Sequence, residues 1–213
     1  MLRTSGRRCL SAAAARARKV TLGGPPLPPR PLGAMLGHGF PTFEVFLDLS
    51  CPFSVTAFNT LHDDVEPANR GRASFVVHNV VQPWHAHSTV MHEVALAVLQ
   101  EAPAGYFAFY RQACGAFDDF AEAAVRGETR LQTGARLAAI AERSTGLPAA
   151  AINALLDKHA MAQALKWTCR HHRARGVHVT PTVFLHGLEA TAISSSWTAA
   201  EWNALLAEVR AAQ

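Results

Sequence analysis

An α/β fold carrying a helical insertion is what this 213-residue chain predicts. Three observations lead there. The alternating apolar run PTFEVFLDLS ends at a sequence suited to starting a helix. The β-branched stretch ASFVVHNVV follows that helix, and VHVTPTVFLHG resumes the strand pattern after a long helical region.

The first strand is expected over residues 42–49, because Phe43, Val45, Leu47 and Leu49 alternate with other side chains. Cys51 then stands between strand and helix. Pro52 fits a first helical turn, where its missing N–H would have been unpaired anyway. That helix is expected to end near Val65, before Pro67. Residues 73–81 make the next strand, and the intervening helix makes a parallel βαβ crossover the economical arrangement.

From about Ser88 to Arg175 the chain reads as several helices. STVMHEVALAVLQ places Val90, Val94 and Ala97 on one face, Pro103 breaks it, and YFAFYRQACGAF and LQTGARLAAIAERSTG supply further helical faces. No fixed repeat period is visible. A strand then follows over 182–186, with an antiparallel partner expected within 188–193. Thr198 and Glu201 form a T-x-x-E capping box ahead of a final helix over 199–211.

Hydrophobic residues make up 49% and charged residues 17%, the balance of a packed globule rather than a disordered chain. No apolar run approaches the roughly eighteen residues of a membrane-spanning helix. The formal charge of +4 is unevenly placed: residues 1–43 hold seven Lys or Arg and no acid, so the rest is mildly acidic. Nucleic acid is therefore not an expected partner of the folded part.

The opening MLRTSGRRCLSAAAARARKV is basic, free of acids and lacks the apolar stretch of a secretory signal. It reads as an organellar transit segment directing the chain to the mitochondrion, with an ordinary basic tail on a cytoplasmic protein as the alternative. GGPPLPPRPLG reads as a stiff spacer or a short proline-recognition segment. Residues 1–39 are accordingly set apart from a domain spanning 40–213.

Four cysteines, at 9, 51, 114 and 169, are too widely spaced to suggest a stapled framework. Cys51 is the one with a physical reason to react. A sulfur at a helix start faces unpaired N–H groups and the positive end of the helix dipole, which favour the nucleophilic thiolate. The competing reading is a small buried residue after a strand. Phe53 offers an apolar rim, and Ser54, one turn on, can offer a hydroxyl to the Cys51 sulfur. Ser54 cannot resolve a mixed disulfide, so release would need glutathione, another protein or a distant Cys. Cys114 and Cys169 read more simply as helix cysteines, and Asp118-Asp119 as a solvated helix end. Thr180-Pro181 precedes an apolar strand, where a proline cannot join the ladder; cis and trans forms both fit the residues.

The strand ending Phe46-Leu47-Asp48-Leu49, the Cys51-Pro52-Phe53-Ser54 helix start, the helical insertion and Val179-Thr180-Pro181-Thr182-Val183 together resemble the DsbA-like branch of the thioredoxin superfamily, over about residues 40–212. That resemblance implies a thioredoxin-like fold with the insertion lying between the second strand and the proline-preceded strand. It implies an attacking thiol at Cys51, and a cis-proline loop at Thr180-Pro181 that holds an extended substrate. The family's resolving cysteine maps to Ser54. The segment is also similar to the S-P-x-S start of kappa-class glutathione transferases and hydroxychromene carboxylate isomerases, which makes glutathione a conceivable co-substrate.

Trp84-His85-Ala86-His87, His92 and His171-His172 lack the compact pattern of a structural zinc site, so no metal ligand is assigned. His85, just after a strand, is kept as a pocket residue. No glycine loop suited to phosphate is present, and no tightly bound cofactor is expected. The sequence thus supports a monothiol oxidoreductase acting on a thiol, disulfide or protein partner through Cys51, with Ser54 assisting. Pro52, Phe53, His85, Thr180 and Pro181 would line its substrate. The alternatives are a non-catalytic binding descendant and a glutathione transferase; oligomeric state is left open.

Overall fold

A computed structural model describes residues 25–212, so the basic head lies outside the described residues. The chain divides after Pro31. The described part of the first unit, residues 25–31, contains no helix.

The second unit is built on a five-stranded sheet in the order β1-β3-β2-β4-β5. Its strands are β1 (Ala34–His38), β2 (Thr42–Leu47), β3 (Ala73–Asn79), β4 (Thr182–Leu185) and β5 (Leu188–Glu189). β2 and β3 run parallel, as expected from the helix between them, with Val45 opposite Val77. β4 lies antiparallel on the other side of β2, with Val183 opposite Val45, and β5 pairs antiparallel with β4. β1, which lies in the stretch read as spacer, adds an antiparallel edge to β3. Its five residues, AMLGH, are too short and too weakly alternating to announce a strand.

α1 (Pro52–Thr60) leaves the end of β2. Its helical path continues through a π-helical turn, Leu61–Val65, into α2 (Glu66–Ala68), past the boundary expected from Pro67. In the wide turn the Glu66 N–H reaches back to the Leu61 carbonyl, and Pro67 enters the first turn of α2, where an N–H is least needed.

The insertion comprises α3 (Ser88–Glu101), α4 (Tyr106–Gly115), α5 (Phe117–Phe120), α6 (Glu122–Val125), α7 (Arg130–Thr145), α8 (Ala149–Asp157) and α9 (Ala162–Ala174). α3 is its axis. Rather than one apolar stripe, every residue from Val90 to Val98 is buried, as befits a helix enclosed by others. Gly134 of α7 permits one close approach: a Cβ there would lie 2.6 Å from a Leu156 methyl and 3.2 Å from Val90. α10 (Ala199–Ala211) closes the fold with the expected Thr198–Glu201 capping box. Its Trp202 meets Phe43 and Phe75 edge-on at 5.5 and 5.8 Å, placing the helix against the sheet.

Phe43, Val45, Leu47, Phe75 and Val77 belong to the main core. Alternation sends Phe46 into a smaller cluster with Val80, Val177 and Phe184. Glu44 shares that second face, which becomes important below.

Candidate functional site

β2 ends where α1 begins, and Cys51 caps the junction in an extended conformation with Pro52 as the first helical residue. No side chain caps α1. The Cys51 N–H donates to the Asp48 carbonyl at 3.0 Å, while the Cys51 carbonyl accepts from Val55. These bonds aim the sulfur across the fold. Its Sγ donates to the Thr180 carbonyl at 3.3 Å, joining residues 129 positions apart. The Thr180–Pro181 peptide is cis.

The sulfur is shielded while its surroundings are not. Cys51 is 5% exposed, whereas Phe53, Trp84 and Val179 are 62%, 57% and 61% exposed. Those three come from the α1 start, the β3–α3 loop and the chain before Pro181. Thr180 and Thr182 are buried, and the Thr182 hydroxyl donates to the Val179 carbonyl at 2.8 Å, bracing the loop from within.

Ser54 is turned differently from the sequence expectation. Its buried Oγ accepts the Asp48 N–H at 3.2 Å instead of bonding to the Cys51 sulfur. The hydroxyl holds the loop that presents the sulfur.

Asp48 is the residue that sequence reasoning missed. Its fully buried carboxylate accepts from the Ser50 N–H (2.9 Å), the Ser88 hydroxyl (2.9 Å) and the Gln82 N–H (3.2 Å). His85 Nδ1 lies 2.9 Å from one oxygen and His92 Nε2 3.2 Å from the other. Burial pushes this carboxyl up, but the His92 and His85 contacts and the Ser50 N–H outweigh it and hold it below the ordinary carboxylate range. The His92 ring continues inward to Asn79, which also receives the Tyr106 hydroxyl. A buried network therefore ties the Cys51 loop to the β3–α3 loop and to the insertion.

His85 stands at the edge of this network, beside a small cavity lined by Ser50, His87, Phe120, Glu122 and Val125 among others. Gln82 adds a second tie, its side-chain amide donating to the His178 carbonyl at 3.2 Å just before the cis-proline loop.

The other described cysteines are chemically quieter. Burial pushes the Cys114 thiol up to about 12, and burial also raises Cys169. All three described cysteines are free thiols. Among the described residues, no helix is long and apolar enough to cross a membrane.

The parallel β2–α1–β3 unit, the antiparallel β4–β5 pair and a helix-start cysteine facing a cis-proline loop define a thioredoxin-like fold with a DsbA-like helical insertion. A family model described as thioredoxin matches residues 40–208, and the chain belongs to that family. No curated protein matches it.

Solved structures share the fold. A Pseudomonas syringae protein, provisionally described as a protein-disulfide isomerase, is 29% identical; the match covers 82% of this chain and 97% of that one, with a TM-score of 0.66. Oxidised BdbD from Bacillus subtilis is 17% identical over 83% and 91% of the chains, TM-score 0.64. DsbA from Chlamydia trachomatis is 15% identical over 85% and 93%, TM-score 0.65.

Proposed function

We propose that this chain is a monothiol thiol–disulfide oxidoreductase in which Cys51 is the attacking sulfur. The carrying observation is the Cys51 Sγ held 3.3 Å from the Thr180 carbonyl at an uncapped helix start. Loss of the thiol proton would leave the sulfur at the start of α1, whose first N–H groups no side chain caps. Pro52 fixes that helix start. Phe53, Thr180 and Pro181 would receive the substrate chain, and His85 would border it.

In the first step the Cys51 thiolate attacks a disulfide R–S–S–R′. The Cys51–S–S–R bond forms, the S–S bond of the substrate breaks, and R′–S⁻ leaves with the electron pair. Ser54 stands where the DsbA-like resemblance places a resolving cysteine, and a hydroxyl cannot displace R. A second thiolate, from glutathione or a protein, therefore attacks the mixed disulfide and restores Cys51. Glutathione acts here as a co-substrate rather than a bound cofactor. The basic head, outside the described residues, would direct this chemistry to the mitochondrion.

A second reading, a binding protein that has retired the chemistry, is favoured by the near-complete burial of Cys51. Incubation with oxidised glutathione followed by residue-resolved mass spectrometry separates the two. The oxidoreductase should carry glutathione at Cys51 and far less at Cys114, and Cys51→Ala should abolish disulfide exchange. An unmodified Cys51, with partner binding intact in Cys51→Ala, would instead establish the binding protein. Turnover of an organic electrophile with glutathione, without a mixed disulfide, would establish a kappa-like transferase.

A further inference from the structure

The second face of the sheet carries a cluster independent of the thiol. Glu44 of β2 and His78 of β3 meet there, with His78 Nε2 3.1 Å from Glu44 Oε2. His171 of α9 lies over them, its ring 4.7 Å from that of His78 and 5.6 Å from that of Phe46. One coordinating atom from each of Glu44, His78 and His171 falls within 4.8 Å of the other two. The His171 ring makes no hydrogen bond to a described residue.

These distances suit a cation of the size and taste of zinc. Bonds of 2.0–2.1 Å to tetrahedrally disposed ligands put neighbouring ligand atoms about 3.3 Å apart. The Glu44–His78 pair already stands at that spacing. Only His171 has to close, and it is a partly exposed side chain that no hydrogen bond restrains. The far edge of the His78 ring is walled by Gly33, at φ +89°, where a Cβ would lie 2.9 Å from Nδ1. The wall keeps Nε2 pointed at Glu44.

Arg175 is the opposing consideration. Its guanidinium holds both Glu44 oxygens, at 2.9 and 3.0 Å, and lies 4.3 Å from the Phe184 ring centre. Its positive charge weakens attraction for a cation. The same fork fixes the carboxylate plane, as outer hydrogen bonds do for metal-ligating carboxylates. An ion would take the Oε2 lone pair now facing His78, and the His78 proton would move to Nδ1. Two imidazoles and one carboxylate select zinc, copper or nickel over magnesium or calcium, which prefer all-oxygen shells.

We propose that Glu44, His78 and His171 form a zinc-binding site that fastens α9 to the sheet, with a fourth position open to water. α9 leads within seven residues to Pro181, so the site would stiffen the chain that supplies the cis-proline loop. The sequence reading assigned no metal ligands because these three residues are far apart in the chain.

The test is calorimetric titration of the chelator-treated full chain with zinc chloride, together with thermal unfolding. One equivalent should bind and raise Tm. His171→Ala, at a site that leaves the core untouched, should weaken binding about tenfold or more, and Glu44→Gln should do likewise. Cys51→Ala should bind as the parent does. No saturable binding, binding unchanged in both cluster variants, or binding lost in Cys51→Ala would each overturn the proposal.

Discussion

Two acids on one strand path, Asp48 and Glu44, each stand among imidazoles, and they are treated very differently. Asp48 is sealed from solvent and ringed by backbone N–H groups, a serine hydroxyl and the rings of two histidines from elements distant in sequence. Glu44 is partly exposed; Arg175 holds both its oxygens, His78 contacts one of them, and His171 places a ring nitrogen within 4.8 Å of the cluster's other ligand atoms. Both carboxyls lie below their ordinary range: burial raises each, and hydrogen-bonded partners outweigh it. The contrast teaches that a depressed carboxyl says little about its job until its neighbours are counted. A buried carboxylate with five polar contacts organises a loop, whereas a partly exposed one with three, beside two imidazoles, has capacity left for a ligand.

The same chemical change at both positions breaks this comparison most forcefully at Asp48. Asp48→Asn turns an acceptor into a partial donor facing other donors in a dry site. Removing one partner of a buried charged network costs about 3–5 kcal/mol. Denaturant unfolding should show that loss, and a loss under about 1 kcal/mol would mean that solvent reaches the network. The acid side gives an independent reading. With its folded-state carboxyl below the unfolded value, Asp48 contributes stability that is fully present above pH 4 and disappears as pH falls through the depressed value. The unfolding free energy of Asp48→Asn should therefore fall less steeply on acidification than that of the parent.

How much of this was legible beforehand follows from whether each feature is local. β2, β3, β4 and α10 carry their own periodicity, turns or capping box, and the structure places them near the expected residues. The pairing of Cys51 with Thr180 was implied by the resemblance to DsbA-like proteins; the residues by themselves mark only a helix start and a pre-strand proline. Asp48 was not readable. In FLDLS it looks like the polar member of an alternation, and its burial is decided by Ser88, His85 and His92, which only the fold brings near. His78 was hidden in the same way, inside an apolar strand, opposite Phe46 and diagonal to Glu44 on the neighbouring strand. Ser54 was read correctly as a hydroxyl and placed wrongly, because the nearer unpaired group was the Asp48 N–H.

Ser54→Ala sharpens the picture on the thiol side with a smaller effect. It removes one neutral hydrogen bond in a buried place, so about 1 kcal/mol should be lost in denaturant unfolding. Its reaction with oxidised glutathione should be altered only through loosening of the 48–51 loop. A change in Cys51 reactivity greater than about tenfold, at unchanged stability, would instead show direct contact between the hydroxyl and the reacting sulfur.

Glu44→Gln should have the smallest effect on the metal-free protein, under about 1 kcal/mol. The amide oxygen still accepts from Arg175, whose guanidinium keeps its place against Phe184, and water can reach what is left unpaired. The expected difference from Asp48→Asn is thus several-fold for an identical exchange of oxygen for nitrogen. Zinc reverses the ranking of the two sites in a way stability alone cannot. Asp48 has no unfilled edge, so the surviving folded fraction of Asp48→Asn should still respond to the ion, whereas Glu44→Gln should be nearly as stable as the parent and no longer gain from it. Equal zinc responses in the two variants would place the ion elsewhere and leave Glu44 a salt-bridge partner of Arg175 alone.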